Sequence, residues 1–292
     1  MATYTLDNGK ICITVDSHGA ELRSLQDNKK TEYLWSGNPA YWGRISPVLF
    51  PFVGKTNGQA FRTKGREYSM TQHGFARDME FQLLSQTPTA LWFGLESNAE
   101  TMEKYPYAFR LELGYRLERD ALRVFWRVRN PASEPLPFSI GGHPAFVCPL
   151  RVGEEQAQCF LHFDASALEI TQISAQGLAL PERVRLALVN GYLPLDAHLF
   201  DHDALVIEHH QCHEVSLCSP NKKPYLTIAF DAPLFGVWSP AGKHAPFVCI
   251  EPWYGRCDAE GFSGTLSERE WGNTLPAGKV FEASYVIQPI TD

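Results

Sequence analysis

The chain lacks an excess of positive charge, a long apolar run and any paired cysteine motif, and each absence removes a class of function. Its 26 Lys and Arg are outnumbered by 33 Asp and Glu, giving a formal net charge of -7 over 292 residues. A nucleic-acid partner requires a basic face to neutralise phosphates, so none is expected. No stretch approaches the roughly 18 consecutive apolar residues of a membrane-spanning helix, so no membrane association is expected either. The opening Met1-Ala-Thr-Tyr-Thr-Leu-Asp-Asn-Gly-Lys10 has no basic segment leading into an apolar one. No secretory signal is therefore expected, and a cytoplasmic location is. The seven cysteines, at positions 12, 148, 159, 212, 218, 249 and 257, form an odd set without a CxxC pair. They read as reduced thiols, mostly in the core. Heptads, internal repeats, low-complexity tracts and Gly/Ser linkers are also missing, so a single domain over residues 1–292 is expected.

Helical patterns are scarce. Only Ser97 to Lys104 reads as a short helix, with Ser97 or Asn98 as its cap. What dominates is period-two alternation broken by Gly, Pro, Asn and Asp about every ten residues. In Arg110-Leu-Glu-Leu-Gly-Tyr-Arg-Leu-Glu118 and Leu122-Arg-Val-Phe-Trp-Arg-Val-Arg129 the apolar side chains fall on every second position, which puts them on one face of a strand. Arg119-Asp120 between them suits a hairpin turn. Further strands are expected at Lys10–Val15, Ala90–Leu95, Glu214–Cys218, Tyr225–Phe230 and Phe281–Ile287. Many short strands with few helices indicate an all-β sandwich or barrel.

Three segments depart from this alternation. In Gln72-His73-Gly74-Phe75-Ala76-Arg77-Asp78, a histidine sits beside a glycine that permits close backbone approach to a ligand. Arg77 there is suited to orient a carboxylate or a substrate oxygen. In Ser139-Ile-Gly-Gly-His143-Pro-Ala-Phe146, two glycines and a proline are expected to fix an unusual backbone and leave the imidazole uncrowded. Histidine is the natural proton donor near neutrality. In Val248-Cys-Ile-Glu251-Pro-Trp253-Tyr254-Gly255, a glutamate closes an apolar run, where desolvation raises its proton affinity and fits it for a general base. Trp253 or Tyr254 beside it offers an aromatic platform for the apolar face of a sugar ring. The plain alternatives are a surface loop histidine, a buried turn histidine and an edge-strand glutamate paired with Arg256.

Two other signals are set aside. His209-His210-Gln211-Cys212-His213 matches no standard zinc spacing, and alternation on a strand would split His209 and His213 from His210 and Cys212. No metal is therefore expected. Gly54-Lys55-Thr56 lacks the upstream glycine spacing and following helix of a phosphate loop.

Taken in order, Trp42-Gly-Arg-Ile-Ser-Pro-Val-Leu-Phe-Pro-Phe-Val-Gly-Lys55, the HGFARD, GGHPAF and CIEPWYG segments and the closing Leu275-Pro-Ala-Gly-Lys279 resemble the aldose 1-epimerase (galactose mutarotase-like) family, in its LacX-type branch. The resemblance covers nearly the whole chain. It implies a large antiparallel β-sandwich (a supersandwich) with an open active-site cleft that uses neither metal nor cofactor. It implies that His143 is the general acid, Glu251 the general base, and His73 a second histidine that holds sugar oxygens. Arg44 or Lys55 lies where the family has a basic substrate contact. Its hydroxyl-binding aspartate falls on Asp201 or Asp203, with Asp203 preferred. The Asn-Arg pair of the galactose enzymes is missing, so galactose itself is not implied.

The expected activity is interconversion of the α and β anomers of a free hexose by acid–base ring opening, in a monomer or homodimer whose partner is the small sugar. The alternatives are a hexose-6-phosphate 1-epimerase, with Arg44, Lys55 and Arg77 around the phosphate, and a non-catalytic carbohydrate-binding protein. An inverting glycosidase would need two carboxylates roughly 6.5–9.5 Å apart, where these segments offer one glutamate and two histidines. His73, His143 and Glu251 should line one cleft, walled by Trp238 or Trp253. His143 and Glu251 should stand about one sugar ring apart.

Overall fold

The structure is a computed structural model that describes residues 1–291. About 48% of the chain is strand and 6% helix, which makes it an all-β protein. Two large antiparallel sheets carry the fold. The nine-stranded sheet runs, in spatial order, through the strands Tyr192–Pro194, Phe160–Phe163, Glu214–Cys218, Pro224–Phe230, Val280–Pro289, Ala121–Arg129, Arg110–Glu118, Ala90–Glu96 and Gln82–Gln86. The eight-stranded sheet runs through Ala179–Ala187, Ala167–Ile173, Leu205–Ile207, Leu234–Trp238, Phe247–Tyr254, Ile140–Gly142 and Val48–Leu49, with Ala145–Val147 also paired to Phe247–Tyr254. One continuous cluster of buried side chains draws on both sheets, for example Leu113, Val124 and Ile287 from the first and Ile140, Val237 and Ile250 from the second. Burying such side chains contributes about 1.5–3 kcal/mol each, the usual reason two half-apolar sheets stack.

The alternating segments behave as strands of this kind. In Ala121–Arg129, Leu122, Val124, Trp126 and Val128 all point into the core. The hairpin to Arg110–Glu118 turns at Arg119-Asp120, with Arg119 in the left-handed region at φ 60°. The single α-helix among the described residues is Ala99–Lys104. Asn98 caps it, accepting from the Thr101 amide while the Thr101 hydroxyl answers the Asn98 amide. No helix among the described residues is long and apolar enough to cross a membrane.

Glu251 ends its apolar run but lies inside its strand: Phe247–Tyr254 continues through it, between Leu234–Trp238 on one side and the two short strands on the other, so it is not an edge-strand glutamate. The continuous apolar run Phe247–Ile250 thus ends at Glu251 while the strand goes on. Residues 208–213 form a loop, with His209 and His210 at φ 68° and 51°.

Candidate active site

Strand register brings the two central groups together. Gly141 pairs with Trp253, and Ala145 pairs with Cys249. Both pairs belong to one antiparallel register, so the interrupted position between them sets His143 opposite Glu251. His143 Nε2 lies 3.3 Å from Glu251 Oε2. The histidine is 8% exposed and the glutamate 1%. This contact is closer than the sugar-ring spacing expected from the sequence. The two groups are direct cross-strand neighbours, so a substrate must lie across the pair rather than between its members.

The glycines before His143 act through space, not through an unusual backbone. Gly141 and Gly142 lie in the extended Ile140–Gly142 strand, and neither has positive φ. A Cβ at Gly141 would stand 2.5 Å from the Trp253 ring, and one at Gly142 would meet Trp126 and the Tyr285 hydroxyl at 3.1 Å. They are small so that aromatic rings can pack beneath the site.

His73 reaches the cleft from a loop turned by two successive left-handed residues, His73 at φ 69° and Gly74 at φ 71°. A Cβ on Gly74 would lie 2.3 Å from the Phe50 carbonyl oxygen, so only glycine fits. The Gly54 amide donates to His73 Nδ1 at 3.1 Å. Nδ1 therefore carries no hydrogen, and in the neutral ring the proton sits on Nε2. The His73 and His143 rings meet edge to face at 5.5 Å.

His73, His143 and Glu251 line one cleft of about 690 Å³ together with Arg44, Lys55, Arg77, Asp201, Asp203, Trp238 and Trp253. That volume is in the range of small-molecule sites. Arg44 Nη2 pairs with Asp78 at 2.9 Å, and Lys55 Nζ donates to the Gln176 carbonyl at 3.1 Å. Arg77 Nη2 donates to the Gln72 carbonyl at 2.6 Å, while its buried Nε makes no hydrogen bond and faces Asp78 Oδ2 at 3.8 Å. Burial and the neighbouring Arg44 charge bring the Arg77 pKa down to about 10. Asp201 is engaged by His198 Nδ1 at 2.8 Å. Asp203 is the aspartate whose charge acts on Glu251. Trp253 is only 6% exposed and packs among Leu49, Val53, Val206 and Leu234, so it is more floor than platform. Tyr254 does not line the cleft; its ring packs on Trp126 and Phe281.

Sequence reasoning missed Trp42. Its ring stacks on His143 at 4.6 Å and 28°, and meets Trp238 edge on at 5.7 Å. Trp42 lies in a segment without strand or helix, where no periodicity singles it out. Lys243, whose Nζ donates to the Tyr41 carbonyl at 3.1 Å, also lines the cleft unforeseen. Arg256 is not the partner of Glu251: it is buried and paired to Glu208 at 2.5 Å and to Glu270.

Burial disfavours charge on both central groups. Desolvation, with the Arg77 and Arg44 charges, brings the His143 pKa down to about 3. Desolvation and the Asp203 charge push Glu251 well above the usual carboxylate range, partly opposed by the Trp253 indole N–H. The pair thus holds one proton over a wide pH range. Both Glu251 oxygens and His143 Nδ1 are buried without a hydrogen-bond partner, an arrangement suited to proton exchange with a bound molecule.

Two groups of residues have the chemistry to hold a metal among the described residues: His143 and Glu251 in the cleft floor with the fully buried Cys249 beside them, and exposed His210, His213 and Asp231. Neither was legible from spacing. The second arises because residues 208–213 turn, which defeats the strand alternation that was expected to separate His210 from His213.

The family model for aldose 1-epimerase matches residues 2–287. The chain is 32% identical over 283 residues to the chromosomal protein LacX of Lactococcus lactis subsp. lactis, covering 94% of this chain and 91% of that one. A solved galactose mutarotase related enzyme from Lactobacillus acidophilus superposes with a TM-score of 0.94 at 31% identity, over 99% of this chain and 98% of that one. A galactose mutarotase-like protein from Lactobacillus casei ATCC 334 gives a TM-score of 0.91 at 30% identity, over 98% of this chain and 99% of its own.

Proposed function

Because the chain belongs to the aldose 1-epimerase family, a family of carbohydrate isomerases, we propose that it interconverts the α and β anomers of a free hexose, with Glu251 and His143 exchanging the protons of ring opening. The observation that carries this reading is the 3.3 Å approach of His143 Nε2 to Glu251 Oε2 in the floor of the cleft. The C1 hydroxyl oxygen and the ring oxygen are both bonded to C1, so two groups this close can address both.

The single proton of the pair is sufficient. That proton rests on Glu251 and crosses the 3.3 Å contact to His143 to give the reactive form, in which Glu251 takes the proton of the C1 hydroxyl while His143 protonates the ring oxygen. The C1–O5 bond breaks and leaves an aldehyde, a protonated Glu251 and a neutral His143. That distribution suits the dry cleft, which disfavours charge at both positions. Rotation about C1–C2 turns the other face of the aldehyde to O5. Glu251 then returns its proton to the aldehyde oxygen as the O5 hydroxyl returns one to His143, and the pair ends as it began. His73 would donate from Nε2 to a sugar oxygen, Asp203 would accept from a hydroxyl, and Trp42 and Trp238 would cover the apolar face of the ring.

Polarimetry on pure anomers of several aldoses tests the reading. The same panel as 6-phosphates tests a second one, favoured by the two neighbouring cations Arg77 and Arg44 in the cleft lining: a phosphorylated hexose. A rate gain confined to the phosphates would select it.

Two further results are expected. Since one proton on the pair suffices, kcat/KM should stay flat from above pH 3 through the ordinary carboxylate range and fall only on the alkaline side, as Glu251 finally loses that proton. The sign follows from the shifts: His143 binds a second proton only near pH 3, and Glu251 releases the last one only well above the carboxylate range. An inflection near 6.5 would mean that His143 titrates as a solvated imidazole. Activity should also survive prolonged dialysis against EDTA, because the pair supplies both acid and base. Loss of activity reversed by a single divalent ion would overturn the scheme.

A further inference from the structure

We propose that the cleft floor is also an inhibitory site for a thiophilic divalent cation of the zinc class, ligated by His143, Glu251 and Cys249. Cys249 and Glu251 are two positions apart on one strand and so point to the same face, and His143 faces them from the opposing register. One ligand atom from each of the three lies within 4.8 Å of the others. Two donors bound to Zn²⁺ at ~2.0 Å and at a tetrahedral angle are separated by roughly 3.3 Å. The His143 Nε2 to Glu251 Oε2 distance is 3.3 Å. The histidine and the carboxylate are therefore already spaced as a zinc-binding edge, and the cysteine needs a modest inward shift.

A second observation points to a ligand at this spot. Both Glu251 oxygens are buried without a hydrogen-bond partner, so the carboxylate has free lone pairs for an incoming cation. Thiolate, imidazole and carboxylate together favour Zn²⁺ or Cd²⁺ over Mg²⁺ or Ca²⁺, which prefer all-oxygen shells. Three protein ligands leave a fourth position open towards the cleft. Binding exchanges the ion for the Cys249 thiol proton and the single proton of the Glu251–His143 pair, both released to solvent. No bond is oxidised or reduced. The inhibitory consequence rests on the acid–base reading of that pair, whereas the binding itself does not: zinc would occupy the lone pairs that the sugar needs and compete with it.

The test is calorimetric titration of the intact protein with Zn²⁺, together with Cd²⁺ titration followed by the ultraviolet thiolate-to-metal absorption. One ion per chain is expected at this site. Cys249→Ala should lose the Cd²⁺ absorption and bind Zn²⁺ at least ~10–100-fold more weakly, since even outer-shell losses cost that much. Its metal-free mutarotation rate should stay close to that of the parent. His210→Ala with His213→Ala removes the exposed cluster and should leave the tight site intact. Absence of saturable Zn²⁺ binding, undiminished binding in Cys249→Ala, or loss of binding on removing His210 and His213 would each overturn the proposal. Zinc bound through Cys249 in a protein inactive on every sugar would sink the mutarotase reading and leave the metal site standing. An active protein that binds no zinc would do the reverse.

Discussion

Replacing Glu251 with glutamine is expected to slow anomer interconversion at least ~100-fold, the usual scale for a positioned general base. Glutamine keeps the shape of the side chain and its place in the Phe247–Tyr254 strand but cannot take the proton from the C1 hydroxyl. The same substitution should not weaken the fold. Glu251 is buried with both oxygens unpartnered and its pKa is raised. A group with a raised folded-state pKa gives stability that is present at low pH and lost as pH climbs through the folded value. The parent protein carries that loss and the glutamine variant does not. The difference in Tm, variant minus parent, should therefore grow as pH rises from the ordinary carboxylate range. Polarimetry and thermal melts at several pH values measure both arms. A rate near that of the parent would remove Glu251 from the chemistry. A loss of stability at every pH would make its role structural.

This opposition between stability and activity is the reason the segment stood out in the sequence. A carboxylate within Val248-Cys-Ile-Glu-Pro-Trp is a local misfit, and misfits of that kind collect at functional sites. The strands were legible for the converse reason. Leu122, Val124, Trp126 and Val128 obey period-two burial, and the turn at Arg119-Asp120 interrupts it where the chain reverses. Period alone does not give partners, so the order of strands within the two sheets was beyond the sequence.

The site was legible by residue type and obscure in its geometry. His73, His143 and Glu251 announced themselves by neighbours such as Gly74 and Pro144. Nothing in their separate segments states that Gly141–Trp253 and Ala145–Cys249 share one register, and that register brings His143 against Glu251. Trp42 escaped because its segment has no periodic structure, so its stacking on His143 depends wholly on tertiary packing. The role of Gly141 and Gly142 was misjudged because sequence suggests glycine for unusual φ. Here the missing Cβ leaves room for Trp253 and Trp126. The metal chemistry of His143, Cys249 and Glu251 was invisible because two of the three come from one strand and the third from another.

Replacing His143 with alanine is the complementary test, and a fall of at least ~100-fold is again expected. Without the imidazole the neighbouring donors are weaker acids: burial holds His73 well below the usual imidazole range, so its Nε2–H belongs to a neutral ring, and Arg77 keeps its proton up to a pKa of about 10. The variant leaves a ring-sized space beneath Trp42, which stacks on His143 in the parent. Imidazole added to the solution fits that space by shape and chemistry, and it should restore part of the rate in His143→Ala and none in Glu251→Gln, whose missing group is a carboxylate. The stability arm has the opposite pH sign to that of Glu251. The pKa of His143 is lowered to about 3, so the unfolded chain takes up a proton near 6.5 that the folded protein refuses. The parent therefore loses stability as pH falls from about 6.5 towards 3, and the alanine variant should lose less over that interval. Imidazole rescue of both variants alike would show only solution catalysis. Rescue of His143→Ala alone, with an acid-side gain in relative Tm, would tie the missing proton to this one ring.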